Sequence, residues 1–124
     1  MIYKLKTSEK TQEIFGKLAQ SSGLQPYVLS KLAIAFSLRG GELSEEDFKT
    51  DHNGLELNRQ TIFGETDLIF RCLIIQHEAR ALTDEEYFPK IVKAHLDRGA
   101  ALMFEESKYN RNFYVNLCQL DGNL

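Results

Sequence analysis

The densest apolar segment of the chain runs from Pro26 to Leu38. Within it Val28, Leu29, Leu32, Ala33, Ile34, Ala35, Phe36 and Leu38 are interrupted only by Ser30, Lys31 and Ser37. Proline suits the first turn of a helix, where its missing N–H would have no partner in any case. A helix apolar over more than one stripe must be covered on several sides. The segment is therefore expected to be the central helix, with Val28, Leu32, Ile34 and Ala35 also meeting a second copy of the chain. Arg39-Gly40-Gly41 ends it, with a cation near the C-terminus and glycines that tolerate a left-handed cap.

Residues 2–6 alternate as a short strand, Tyr3 and Leu5 on one face and Ile2, Lys4 and Lys6 on the other. No convincing partner strand follows, so pairing with another copy is expected, which adds Tyr3 and Leu5 to the oligomer interface. Thr7 or Ser8 caps the next helix, whose apolar face is Ile14, Phe15, Leu18 and Ala19 and which Gly23 ends.

Past Gly41 the pattern loosens. Residues 42–58 are polar and turn-rich, with a single helical turn opened by Ser44 to Asp47 and a turn at Asp51 to Gly54. Leu55 and Leu57 alternate with Glu56 and Asn58 in a short extended piece. Phe48, Leu55, Leu57, Ile62 and Phe63 are expected to pin this loop to the core. A third helix is predicted from Thr66 to Ala81, carrying Leu68, Ile69, Cys72, Leu73 and Ile75. Thr83 and Glu86 form a capping box that opens a fourth. Pro89 should delay or kink it, and Arg98-Gly99 should break it. Another helical turn or two is expected over Ala100 to Glu106, and a last helix or strand at Phe113, Tyr114, Val115 and Leu117. The fold class expected is mainly α: one domain with a short N-terminal strand, a helix-turn-helix pair and further C-terminal helices.

Net charge is −3, which by itself argues against a dedicated nucleic-acid binder. Its distribution changes the picture. Residues 1–39 carry six basic side chains against two acidic ones, a surplus of +4, and residues 40–124 carry nine against sixteen, or −7. A basic front joined to an acidic rear suggests two surfaces with different partners. No apolar run approaches the roughly 20 residues that span a bilayer. MIYKLKTSEK at the start has no apolar signal segment, so a cytoplasmic protein with reduced thiols is expected. Cys72 and Cys118 are expected to be small buried hydrophobes.

Motifs for catalysis or metal binding are poor. His77-Glu78 opens like the HExxH zinc motif, but position 81 is alanine. The carboxylates between Glu42 and Asp67 are numerous, yet no spacing selects a pair for holding magnesium, and a solvated acidic face explains them. His95 sits among apolar positions as a core histidine. No catalytic residue, metal ligand or cofactor is expected. A phosphate-binding constellation reads better. Lys4 and Lys6 on a strand precede two helices, and the free N–H groups at Gln25-Pro26 suit a phosphate. The strand–helix–helix order resembles the ribbon-helix-helix class of dimeric DNA binders.

Residues 4–38, 54–74 and 95–103 together resemble a particular family. The most specific pieces are Gly23-Leu24 with Pro26-Tyr27, the run Gly54 to Arg59, Phe63-Gly64-Glu65 with Asp67, and His95 to Gly99. They resemble DndE, the small accessory protein of bacterial DNA phosphorothioation systems, in which sulfur replaces a non-bridging phosphate oxygen. The resemblance covers nearly the whole chain. It implies a non-catalytic subunit that binds duplex or nicked DNA as a homo-oligomer, with a tetramer favoured over a dimer. It also implies partners: an iron–sulfur ATP-pyrophosphatase-like subunit and an ATPase. Lys4, Lys6, Lys10, Lys17 and Lys31 are the expected phosphate contacts. The competing expectation is a scaffold that organises the partner proteins without touching DNA.

Overall fold

The computed structural model describes residues 3–109 and residue 113. Four long helices and a two-stranded antiparallel sheet make up the described fold. Strand β1 (Lys4–Lys6) leads into α1 (Glu9–Ser22), capped by Ser8, whose hydroxyl accepts from the Thr11 N–H at 3.1 Å. Gly23 closes α1 in a left-handed conformation with φ 77°. Helix α2 (Pro26–Leu38) starts on its proline as expected. Its centre is enclosed by α6 (Lys93–Tyr109) above all, with α1, α3 (Arg59–Phe63) and α4 (Asp67–Glu78) completing the cover, so that Leu29, Leu32, Ala33 and Ile34 are fully buried.

That enclosure corrects the reasoning for a copy-to-copy interface on α2. Leu32 and Ile34, and likewise Leu5 on β1, are covered by their own chain and need no second subunit. Val28 and Ala35 are half-buried and Tyr3 is exposed.

The strand expectation is also corrected. β1 pairs within the chain with β2 (Glu56–Asn58), in the register Lys4 to Asn58, Leu5 to Leu57 and Lys6 to Glu56. Flanking bonds from Thr7 N to Leu55 O and from Arg59 N to Tyr3 O lengthen the ladder. A ribbon-helix-helix dimer pairs this strand between copies; here the alternating piece at Leu55 to Asn58 occupies that edge. Gly54 permits the approach, since a Cβ there would lie 2.1 Å from the Ser8 carbonyl oxygen.

The connecting segment forms one 3₁₀ turn at Glu45–Phe48, the single helical turn expected there, and Ser44 and Asp47 form a capping box at its start. Phe48 does not anchor it, being 46% exposed; Ile62 and Phe63 are buried and Leu55 and Leu57 half-buried. A short α3 (Arg59–Phe63), not foreseen, passes through a 3₁₀ turn at Gly64–Thr66 into α4 (Asp67–Glu78). This third long helix starts and ends inside the predicted span. Its core contacts are Phe70 and Ile74, whereas Leu68, Ile69, Leu73 and Cys72 are exposed, contrary to the expectation that Cys72 is buried. Cys118, Tyr114, Val115 and Leu117 lie outside the described residues, as does Ile2.

The capping box at Thr83 and Glu86 opens α5 (Asp84–Glu86) as read from the sequence. Pro89 cannot donate to the turn before it, and the backbone widens into a π-helical stretch over Tyr87–Val92. The chain then continues as α6 (Lys93–Tyr109) without the expected break at Arg98-Gly99. Gly99 is instead where α6 crosses α2. A Cβ there would sit 1.6 Å from the Ala33 carbonyl oxygen. Phe113 is buried against Phe36, with ring centroids 6.4 Å apart.

Candidate nucleic-acid interface

Helix α1 places Lys10 and Lys17 two turns apart on one exposed face. Both amines lie over the ring of Phe104 on α6, at 6.0 and 5.2 Å from its centroid, and Lys108 approaches the same ring at 4.7 Å. Three cations from two helices therefore converge on one half-buried aromatic ring, with Glu105 pairing to Lys108 at 3.1 Å. The ring's negative face partly offsets the mutual repulsion of the amines and holds their stems against apolar surface. The sequence named Lys10 and Lys17; it missed Lys108, whose signal was its position four residues after Phe104 on a helix predicted to be only a turn or two long.

Lys4 and Lys6 are exposed on β1. They line a groove of about 210 Å³ with Leu5, His52, Glu56 and Pro89. An adjoining groove shares His52 and Pro89 and adds Lys90. The register sets the charge balance: Lys6 stands opposite Glu56 and is partly offset, while Lys4 stands opposite neutral Asn58. Lys31 is half-buried on α2. At the N-terminus of α2 the Gln25 side chain makes no capping bond, and Gln25, Pro26 and Tyr27 are exposed. The expected anion-facing helix end is thus accessible.

Two buried polar clusters tie the elements of the fold together. In the first, Asp97 accepts from Ser8 N, Thr11 Oγ1, Thr50 Oγ1 and Lys93 Nζ at 3.1, 2.7, 2.7 and 2.7 Å. It ties the cap of α1 and the loop at Thr50 to α6. Nearby, the Asp51 carboxylate accepts from the Asn53 and Glu9 N–H groups, which hold its pKa below the usual carboxylate range.

In the second cluster His95 is fully buried, as read from the sequence, between Ser37 Oγ at its Nδ1 and Glu78 Oε1 at its Nε2, both 2.8 Å away. Burial pushes its pKa down to about 4, against the pull of Glu78. The folded pKa lies below the unfolded value, so the unfolded chain binds more protons between about pH 6.5 and 4 and stability falls as pH drops through that window. Thermal melts from pH 7 to 5 should show this decline, amounting to a few kcal/mol by pH 4. A folded His95→Gln variant should show a flatter profile; an identical profile would remove His95 as the cause.

The fold defines a class: a small, mainly α protein with a two-stranded antiparallel sheet and exposed lysines on its strand and helices. Its family follows from comparison. The family described as DNA sulphur modification protein DndE matches residues 4–111, and the chain belongs to it. Among the solved structures that share the fold are two of DndE. One is the crystal structure of DndE from Escherichia coli B7A involved in DNA phosphorothioation modification, 22% identical, with 82% of this chain and 95% of that chain covered and a TM-score of 0.64. The other is the crystal structure of a DndE mutant involved in DNA phosphorothioation, 21% identical, with 85% and 99% covered and a TM-score of 0.64. No curated protein matches the chain. Among the described residues no helix is long and apolar enough to cross a membrane.

Proposed function

We propose that the chain is a non-catalytic DNA-binding subunit of a DNA phosphorothioation assembly, holding duplex or nicked DNA through its phosphates. The observation that carries this reading is the convergence of Lys10, Lys17 and Lys108 around Phe104, with Lys4 and Lys6 exposed on β1. Contacts of this kind position a protein on DNA without reading sequence. A chain of net charge −3 binds a polyanion weakly alone. A homo-oligomer, with a tetramer favoured, presents several basic fronts at once while the acidic remainders face away or meet the iron–sulfur and ATPase subunits. Tyr3, Val28 and Ala35 are the interface candidates that still reach solvent, and Leu5, Leu32 and Ile34 support them from below.

Replacing Lys10, Lys17 and Lys108 together by alanine should weaken binding to a labelled nicked duplex at least about tenfold at low salt, measured by fluorescence anisotropy. Lys49→Ala, at a lysine already paired with Glu46, should bind like the wild type. Equal affinities for all three proteins would exclude the cluster from the DNA site.

One observation favours a second reading. Leu68, Ile69 and Leu73 form an exposed apolar row on α4, 70%, 60% and 45% accessible. Such a row suits contact with another protein, and it fits a scaffold that organises the phosphorothioation proteins without touching DNA. Retention on heparin or duplex DNA at low salt separates the two readings.

A further inference from the structure

The rejected HExxH start at His77-Glu78 gains its second histidine from α6 rather than from its own helix. His77 and Glu78 close α4, and His95 faces them from the first turn of α6, its ring set edge-on to that of His77 with centroids 4.9 Å apart. Glu78 Oε1 lies 3.3 Å from His77 Nδ1 and 2.8 Å from His95 Nε2. One ligand atom from each of the three residues falls within 4.8 Å of the others.

We propose that His77, Glu78 and His95 bind a divalent transition-metal ion, zinc being the ion best suited to two imidazoles and one carboxylate. Donors arranged tetrahedrally around zinc stand roughly 3.3 Å apart; the two contacts of Glu78, at 2.8 and 3.3 Å, are near that spacing, and side-chain rotation would bring all three donors onto one ion.

Hydrogen bonding supplies the second argument. His77 Nε2 lies 3.1 Å from the Gly40 carbonyl oxygen, which can only accept, so Nε2 carries the ring proton. In the neutral ring the lone pair of Nδ1 then points toward the Glu78 carboxylate 3.3 Å away, a position that a metal ion can occupy as a proton can. His95 presents its Nε2 to the same carboxylate oxygen at 2.8 Å. With a metal on Nε2, its Nδ1–H donates to Ser37 Oγ, which Arg98 Nε also holds at 2.8 Å. Both imidazoles thus have an oxygen acceptor behind them, the usual support of a metal-bound histidine.

The electrostatics agree. Glu78 is the last residue of α4, where the helix's partial negative charge favours a cation. The positive charge of Arg98 opposes one, but its guanidinium is engaged by the carbonyl oxygens of Ser37 and Gly41 at 2.7 and 2.9 Å. The side chains of His77 and Glu78 remain 14% and 13% exposed, which leaves a route in and an open fourth position. The bound ion would staple the end of α4 to α6. This inference is independent of DNA binding and survives the failure of that reading.

Titration of the full chain with Zn²⁺ in a calorimeter, and with Co²⁺ followed by visible absorption, tests it. One ion per chain is expected, with a tetrahedral cobalt spectrum and a raised melting temperature. His77→Ala and Glu78→Gln lie at the rim of the cluster and should fold. Each should lower the affinity roughly tenfold or more. Absence of saturable binding by the wild type would overturn the proposal. Unchanged affinity in both folded variants would overturn it as well, by placing the metal elsewhere.

Discussion

Replacing Asp97 with alanine should cost about 3–5 kcal/mol of stability, the usual penalty for breaking a buried ion pair from one side. The Lys93 and Asp97 side chains are only 6% and 3% exposed, and their N···O distance is 2.7 Å. Without the carboxylate the Lys93 ammonium keeps Thr50 Oγ1 at 2.6 Å as its hydrogen-bond partner, a neutral group that cannot balance a charge. The Ser8 N–H and the Thr11 and Thr50 hydroxyls lose an acceptor at the same time. A domain of this size has about 5–15 kcal/mol in total, so the variant should sit near the edge of unfolding. Urea denaturation measures the loss. Removing both charges, as in Lys93→Met with Asp97→Leu, should recover the part of the loss due to the unpaired ammonium but not the part due to the Ser8 N–H and the Thr11 and Thr50 hydroxyls, which stay without their acceptor. A loss under about 1 kcal/mol for Asp97→Ala would mean that water reaches the cluster and that it does not clasp α1, the loop and α6 together.

The second large effect is expected at Gly99. A single methyl group there would overlap the backbone of Ala33, with 1.6 Å to its oxygen and 2.3 Å to its carbonyl carbon. Backbone in the middle of a buried helix cannot step aside as a side-chain tip can, so α2 and α6 must separate along their main contact. Gly99→Ala should therefore cost about 3 kcal/mol or more, at or above the upper end for overpacked cores. Gly16→Ala is the control. Gly16 is exposed in the middle of α1 with nothing within 4 Å of its Cβ position, and alanine there should stabilise by about 0.5–1 kcal/mol. Paired thermal melts give both numbers. Equal and small effects would show that α2 and α6 do not approach this closely.

Gly99 also illustrates what the sequence conceals. After Arg98 it looks like a helix stop, and local pattern does not distinguish a glycine that ends a helix from one that lets another helix touch it. The distinction depends on Ala33, far away in the chain. The partner of β1 was hidden for the same reason: three residues of alternation at Glu56 to Asn58 are too few to signal a strand by themselves. Signals confined to one turn were legible. Ser8, Gly23, Pro26 and the Thr83–Glu86 box set their helix ends where they were read. The apolar content of α4 was legible but its direction was not, since Leu68, Ile69 and Leu73 face outward while Phe70 and Ile74 fill the core. In the basic surface, Lys10 and Lys17 could be placed together from their spacing on α1. Lys108 could join them only once α6 was known to run unbroken past Gly99 to Phe104.

The central claim is that lysines of the N-terminal strand and first helix hold DNA by its phosphates. The measurement that tests it most directly is the slope of log affinity against log salt for a duplex. Each phosphate contact contributes roughly 0.9 to that slope. Wild type should bind more weakly as salt rises, with a steep slope, and about equally well on unrelated sequences. A variant with Lys4, Lys6, Lys10 and Lys17 all changed to alanine should bind far more weakly and with a slope lower by up to about 3.6 for every copy that engages the duplex. An unchanged slope in a folded variant of the same assembly state would contradict the claim, because those four lysines would then be solvated flanks and the protein a scaffold.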